Sequence, residues 1–485
     1  MSTAAVLETD GVTAPRRGHV LAVLGLAQLM VVLDTTIVNI ALPSAQADLG
    51  FSDGSRQWVI TAYALAFAAL LLPGGRLADL FGRKPAFLIG GAGFAIASAI
   101  GGIAPSFAVL VTARALQGVF AALLAPAVLS LLNTTFTGTK DRARAFGVFG
   151  AIGASGTVLG LLIGGSLTQF LDWRWTMFIN VVFAAAVVAG GTRLLVHTRD
   201  KAGSRLDLPG TAMISAGLFA VVYGFANAES HSWSSPLTWG FLAAGVMLIV
   251  AFMLWQRHSE DPLLPLSVLR DRDRAASFAA LLVTGAGLFG VLLFLTYYLQ
   301  VDRGFTPVTT GLAYLPMILA MMAVAQVSTT KLVPALGAGK VLPAGFVLSG
   351  SGLLWLTALD LTSGYWVSVL PPLIVIGAGL GGIVPPAMSL ATHGVPAQDA
   401  GIASATVNVM QQVGGSIGTA LLNTLAASAA LSYLTGRNTA DPAVRSQAAL
   451  DSYATAFTWA AGLFFAGALI TALLYRRPDK GRSHD

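Results

Sequence analysis

One acidic and one basic side chain interrupt stretches of sequence that are otherwise apolar enough to lie in a membrane. Asp34 falls within LMVVLDTTIVNIALP (29–43), and Arg114 falls within TARALQGVFAALLAP (112–126). An ionised side chain at the centre of a membrane helix costs about 2.5–3.5 kcal/mol on insertion scales. A buried guanidinium without a partner is also costly. We therefore expect Asp34 and Arg114 to pair.

A carboxylate beside a guanidinium in a membrane is suited to carry a proton. Burial favours the neutral acid, whereas a neighbouring Arg114 favours the carboxylate, so a movement that changes this balance loads or releases a proton at Asp34. Other acids are poor candidates, since Glu229, Asp302 and Asp360 fall at or beyond the ends of apolar segments. The alternative is a purely structural ion pair.

The composition indicates which elements position these two residues. Hydrophobic residues make up 55% of the 485 residues and charged residues only 10%, against roughly 25% charged residues in soluble domains. A membrane-spanning helix needs about 20 apolar residues. On this basis we predict an all-α integral membrane protein with fourteen spans, near 20–43, 57–78, 85–104, 107–132, 145–168, 176–196, 208–227, 239–256, 276–299, 312–330, 341–360, 367–391, 402–425 and 456–475.

The charged and polar connections predict the orientation. Most of the 28 Lys and Arg residues fall in loops on the side that holds both termini, which predicts cytoplasmic termini. Two connections are longer than the others, 256–274 and about 427–455. The net charge of +6 does not indicate nucleic acid, because no basic stripe with interleaved aromatic residues is present. The chain contains no cysteine and six scattered histidines, which predicts no metal site and argues against an enzyme.

A weak internal repeat divides the chain. AALLAP (121–126) is echoed by GGIVPP (381–386), which pairs Arg114 with Ile374, and the Gly-rich segment 153–165 is echoed by 413–422. The offset of eight spans predicts two six-helix bundles, 1–198 and 276–485, with two inserted helices and a linker at 199–275. Duplicated halves are typical of transporters, with the substrate site between them.

The loop GGRLADLFGRKPAFL (74–88) carries a charge cluster in a fixed order, Gly-x-Leu-Ala-Asp-x-x-Gly-Arg-Lys. A charge cluster in a loop is ordinarily solvated and orients the protein. This order, however, resembles the signature of the major facilitator superfamily. The resemblance implies a network that latches the two halves in the outward-facing state, with the candidate residues Gly75, Asp79, Gly82, Arg83 and Lys84.

A second motif, GASGTVLGLLIGGSL (153–167), places glycines on one helical face. Its candidate residues are Gly156, Gly160, Gly164 and Gly165, and their spacing indicates close helix packing. The stretch also resembles the antiporter motif of exporters in this superfamily, which implies sliding against the opposite half. Leu161 stands where the family often has proline.

Two further stretches, LDTTIVNIALP (33–43) and LDWRWTMFINV (171–181), resemble segments of the fourteen-helix drug:proton antiporters. The resemblance implies alternating access and proton-coupled efflux of hydrophobic or amphipathic drugs across the inner membrane, by a monomer that contacts lipid and needs no cofactor besides protons. Asp34 and Arg114 would couple the protons. The family analogy suggests substrate contacts at Met30, Tyr63, Gln117, Phe294, Tyr298, Asn408, Gln411 and Gln412.

Other functions remain open from the sequence. A lipid or metabolite transporter on the same fold, working as an exporter or a proton symporter, is the main alternative. An integral membrane enzyme lacks the clustered histidines and acids that such chemistry needs. A membrane sensor lacks a soluble output domain, because most connections are short.

Overall fold

Fourteen long helices form the regular structure of the described residues in the computed structural model, which are 14–52, 55–136, 139–196, 207–231, 235–259, 262–264, 270–393, 395 and 400–475. They are α1 (Ala14–Leu49), α2 (Trp58–Phe81), α3 (Arg83–Gly102), α4 (Phe107–Thr135), α5 (Thr139–Phe170), α6 (Trp175–Leu194), α7 (Leu208–His231), α8 (Pro236–Trp255), α9 (Arg272–Tyr297), α10 (Pro307–Val327), α11 (Ala338–Leu356), α12 (Leu370–Thr392), α13 (Ala400–Leu434) and α14 (Pro442–Leu474). Short π-helical turns extend α9 over Tyr298–Asp302 and precede α12 over Tyr365–Val369, and α10 continues through Ser328–Leu332 into Val333–Leu336.

The helices are long and apolar enough for a membrane. Within the described residues, 13 helical segments meet that test, which includes every long helix except α5. The chain is therefore a multi-pass membrane protein, and the predicted all-α fold of fourteen helices is confirmed. The two termini, predicted to be cytoplasmic, lie outside the described residues.

The prediction of a long polar connection at about 427–455 is wrong, because most of these residues are helical. Most of it continues α13 and α14, which have 35 and 33 residues, whereas about 20 residues cross a bilayer. Alanine-rich sequence supports the extension. The side chain of Asp441 caps α14 by accepting a hydrogen bond from Ala443 N at 2.9 Å, so the true loop is short.

The helices pack in two matching sets. Helix α2 packs on α4, α3 on α4 and α1 on α5, and the same scheme recurs as α10 on α12, α11 on α12 and α9 on α13. Equivalent close contacts support the match: Gly118 lies against Tyr63 O, and Gly377 lies against Met317 O. Each helix of the second set therefore packs like the helix eight positions earlier in the chain.

These contacts change the register of the repeat by one residue. Matching Gly118 with Gly377 pairs Arg114 with Leu373, which is fully buried, whereas Ile374 is 42% exposed. The expected pairing of Arg114 with Ile374 is therefore wrong. Two consecutive prolines in α12 make the register of the short sequence match ambiguous, and Pro385 is the counterpart of the single proline in α4.

The inserted helices α7 and α8 pack on each other, and α7 also contacts α2 and α13. Ser215 Oγ donates to Ala69 O of α2 at 2.7 Å, and the ring of Tyr223 lies 6.0 Å from that of Trp58. Helix α7 thus contacts both six-helix sets along one side.

On the other side, the two sets meet near the C-terminal ends of α1, α5 and α9. Gly165 of α5 lies against Pro307 O, and Gly311 of α10 lies against Leu161 O. Close by, Gln300 Nε2 donates to Ile40 O at 3.1 Å. This is the end that the charge bias predicts to be extracytoplasmic.

Gly82 allows the sharp reversal between α2 and α3. Its φ of 104° and ψ of 143° belong to a region that is essentially restricted to glycine, with a cost of order 1–3 kcal/mol for other residues. We expect Gly82→Ala to lower the apparent melting temperature of the purified protein in detergent. Gly462→Ala is the control, because Gly462 is helical with open space around its Cα. Equal melting temperatures for the two variants would contradict the conclusion that the turn at Gly82 requires glycine.

Candidate functional site

Asp34 and Arg114 are in direct contact inside the N-terminal set of helices. Arg114 Nη1 lies 2.7 Å from Asp34 Oδ2, and the side chains of Arg114 and Asp34 are 2% and 0% exposed. Asp34 is on α1 and Arg114 on α4, so the pair joins two helices that are far apart in sequence. The geometry is that of a charge-assisted hydrogen bond.

Two amide side chains complete the shell around the carboxylate. Asn180 Nδ2 of α6 donates to Asp34 Oδ1 at 2.7 Å, and Gln117 Nε2 donates to the same oxygen at 3.1 Å. Gln117 Oε1 in turn accepts from Arg114 Nη1 at 2.8 Å. Gln117 Nε2 also donates to Ser98 Oγ of α3 at 2.7 Å. Four helices therefore hold this network.

The guanidinium has further partners on α2. Arg114 Nε donates to Val59 O at 2.9 Å, and its Cζ lies 4.6 Å from the centre of the Tyr63 ring. A cation over an aromatic face is stabilised by the ring quadrupole, more so when desolvated. The hydroxyl of Tyr63 is buried without a hydrogen-bond partner in the described part of the chain. The charge of Arg114 is thus well compensated.

Two of the network residues lie near the start of their helices. Arg114 comes seven residues after α4 begins at Phe107, which is about 10 Å at 1.5 Å per residue. Asn180 comes five residues after α6 begins at Trp175. Both helices begin at the predicted extracytoplasmic end, whereas Asp34 lies in the middle part of α1.

Asn180 and Ser98 belong to the network but were not predicted from the sequence, and of the two only Asn180 contacts Asp34. Asn180 stands in LDWRWTMFINV (171–181), and the available signal was one amide within an apolar helix. The same stretch ties α6 to the end of α1, because Arg174 Nη1 and Trp173 Nε1 donate to Asp48 Oδ2 at 2.7 and 3.1 Å. Helix α1 is therefore joined to the α6 segment by two contacts, one at Asp34 inside the bundle and one at Asp48 near the end of α1.

The predicted latch residues surround the turn between α2 and α3. Lys84 Nζ donates to Thr192 O at 2.9 Å and Leu195 O at 2.7 Å, so it caps the end of α6 in its own half. Gly75 lies against Pro126 of α4. Arg83 is partly buried, and the side chain of Asp79 lies outside the described residues. The latch between the halves stays a prediction.

The glycines of α5 occupy two different contacts. Gly156 lies against Val32, and Gly160 and Gly164 lie against Thr36 and Ile37 of α1, within the same half. These three glycines thus allow close packing of α5 on α1, and the sliding against the opposite half that the motif implies stays a prediction. Gly165 alone of the four lies against the other half, at α10.

The residues expected to contact substrate fall into separate groups. Met30, Tyr63 and Gln117 are buried in the N-terminal set, where Tyr63 and Gln117 serve the charge network. Phe294 and Tyr298 are buried in the core of the second set, and Tyr298 OH donates to Asp360 O at 2.8 Å.

The remaining three expected contacts, Asn408, Gln411 and Gln412, are partly buried on α13. The role of all eight residues in substrate binding stays a prediction.

The second half replaces the pair with apolar residues. Gly414 lies against Leu282 O as Gly160 lies near Leu33 O, which pairs Asp34 with Val283. The counterpart of Arg114 is Leu373, as described above. The second half thus repeats the glycine contacts of the first half, but it has apolar residues at the two positions that are charged in the first half.

Two six-helix sets related by a repeat are typical of membrane transporters. The model of the Major Facilitator Superfamily matches residues 24–419. The chain belongs to this superfamily and is a transporter.

Its relatives include resistance and export proteins. The chain is 46% identical to the puromycin resistance protein pur8 of Streptomyces alboniger, over 95% of this chain and 91% of that protein. It is 36% identical to the cephamycin export protein CmcT of Amycolatopsis lactamdurans, over 83% of each. It is 35% identical to the tetracenomycin C resistance and export protein of Streptomyces glaucescens, over 82% of this chain and 74% of that one.

Solved structures share the fold. An auto-inhibited peptide transporter of the POT family matches with a TM-score of 0.69 at 15% identity, over 97% of this chain and 99% of that one. The human organic anion transporter MFSD10 matches with a TM-score of 0.61 at 16% identity, over 95% of this chain and 100% of that one.

Breaking the buried pair should be costly. Arg114→Met leaves the Asp34 carboxylate buried without its counter-charge, and loss of one partner of a buried pair costs about 3–5 kcal/mol. We expect a lower melting temperature in detergent, partly restored in the double variant Asp34→Asn/Arg114→Met.

The exposed pair Arg174–Asp48 supplies the control. Its side chains are 29% and 44% exposed, and exposed pairs contribute about 0–1 kcal/mol. Arg174→Met should therefore cost much less than Arg114→Met. A double variant no more stable than Arg114→Met would contradict the electrostatic explanation.

Proposed function

We propose that this transporter exports hydrophobic or amphipathic antibiotics across the cytoplasmic membrane in exchange for protons. Three relatives are a puromycin resistance protein, a cephamycin export protein and a tetracenomycin C resistance and export protein. Their named compounds differ widely in chemistry, which favours a broad substrate class. The protein would act as a monomer in lipid, with both termini in the cytoplasm and no cofactor besides the coupling proton.

The single observation that carries the proton coupling is the environment of Asp34. The carboxylate is fully buried and accepts from Arg114, Asn180 and Gln117. A proton on Asp34 removes its attraction to the guanidinium and leaves a buried cation whose partners must rearrange. Protonation therefore has a conformational consequence, as coupling requires.

The contacts between the halves suggest where the pathway is closed. Close approach at Gly165 and Gly311 and the bond from Gln300 to Ile40 O lie at one end. With the predicted orientation, this is the extracytoplasmic end. Release of drug to the outside would separate these contacts, and the proton would then reach Asp34 from the same side.

The test is transport in proteoliposomes with an imposed pH gradient and puromycin as the probe. Asp34→Asn keeps a polar side chain of similar shape but cannot exchange a proton, so we expect gradient-driven accumulation to be lost. Asp48→Asn is the matched control on the same helix, at its exposed end, and should retain transport.

Full gradient-driven transport by Asp34→Asn would refute the proton-coupling proposal. If the wild type fails to move puromycin, cephamycin and tetracenomycin C under the same gradient, the proposed substrate class is wrong.

A further inference from the structure

We propose that Asn180 is an amide switch, which donates to Asp34 when it is ionised and turns to accept from it when it is protonated. The proposal rests on the proposed function, in which Asp34 takes up the coupling proton. It adds a residue that holds the carboxylate and that orients the acid once it is formed.

The ionised state is the one in the structure. A carboxylate can only accept hydrogen bonds, so the group of Asn180 that lies 2.7 Å from Asp34 Oδ1 is its NH₂ group. Together with Arg114 Nη1 and Gln117 Nε2, this gives the carboxylate three donors. Each of these three side chains presents a donor, and none an acceptor, to Asp34.

A proton on Asp34 therefore creates a donor that needs an acceptor. Arg114 has no acceptor atom. Gln117 cannot turn without cost, because its Oε1 accepts from Arg114 at 2.8 Å and its Nε2 donates to Ser98 at 2.7 Å. The amide of Gln117 is thus held in one orientation by partners on both sides.

Asn180 differs from Gln117 in this respect. Its side chain is fully buried, and its Oδ1 has no hydrogen-bond partner in the described part of the protein. A buried acceptor left without a partner costs about 1–3 kcal/mol. Turning the amide by about 180° about the Cβ–Cγ bond exchanges Oδ1 for Nδ2, a torsion that is broad for asparagine.

The proton balance is simple. A proton from solvent binds Asp34 Oδ1, the carboxylate becomes a carboxylic acid, and its new O–H donates to Asn180 Oδ1. Arg114 keeps its own proton throughout. On deprotonation the proton returns to solvent, and the amide turns back to present its N–H to the carboxylate.

Few side chains besides Asn180 can affect the protonation of Asp34. Among the described residues, the charged and titratable side chains in contact with the network are Arg114 on α4 and Tyr63 on α2. Helix α3 contributes Ser98, which does not titrate. Helix α5 approaches α1 through its glycines. Helix α6 contributes Asn180 itself.

The test is infrared difference spectroscopy of the purified protein in nanodiscs as the pH is lowered, without drug. The protonated carboxyl band that is absent in Asp34→Asn belongs to Asp34. In the wild type we expect this band to appear together with a shift of an asparagine side-chain carbonyl band. In Asn180→Leu, the carbonyl shift should vanish and the carboxyl band should move to the higher frequency of a weakly bonded acid.

Asn180→Ser should move the carboxyl band in the same direction as Asn180→Leu, because its hydroxyl is too short to replace the amide. Asn180→Gln keeps the amide and should restore the carbonyl shift.

The matched control is Asn227→Leu. Asn227 is a buried asparagine on α7 that donates to Thr238 Oγ1 at 3.1 Å, away from Asp34, so its loss should leave the Asp34 band unchanged. The proposal is overturned if Asn180→Leu and Asn180→Ser keep the wild-type position of the carboxyl band. Because this readout needs no transport, it is independent of whether Asp34→Asn still transports drug.

Discussion

The buried contact between Asp34 and Arg114 constrains the rest of the N-terminal half. In a medium of low dielectric, neither charge is tolerated alone, and each remaining group near them serves one charge or the other. Gln117 bonds both residues, Asn180 bonds the carboxylate, and Val59 O and the Tyr63 ring face the guanidinium. Helices α1, α2, α4 and α6 are therefore tied together through these two residues, and in the proposed mechanism protonation of Asp34 weakens the contact between α1 and α4.

The second half has no such constraint at the matching positions. Val283 and Leu373 stand where the first half has its charges, while the glycine contacts of Gly414 and Gly377 repeat those of α5 and α4. The duplication thus preserves close helix packing, and at these two positions only the first half carries buried charges. Helix α7, which bonds α2 through Ser215 and packs on α13, adds a contact between the halves that a twelve-helix arrangement lacks.

Much of this arrangement could be predicted from composition and pattern. Fourteen apolar stretches and the lone charges at Asp34 and Arg114 have strong signals, since an intramembrane charge without a reason is disfavoured. Asn180 was missed because one amide in an apolar helix looks like many others, and its meaning depends on a 2.7 Å contact with a residue on another helix. The register of α12 depends on which of two adjacent prolines matches Pro126, and the contact of Gly377 with Met317 O decides this. The helical structure within 427–455 was not predicted, because α13 and α14 continue past the apolar core of the membrane. There, hydropathy no longer distinguishes helix from loop.

The most direct test of Asp34 as the site shared by proton and drug is the proton count on binding. Puromycin is added to the purified protein in a weakly buffered detergent solution, and the change in pH is recorded with a dye. We expect the wild type to release protons when drug binds and Asp34→Asn to release none. Equal release by Asp34→Asn, or proton uptake by the wild type, would contradict exchange of drug for a proton at Asp34.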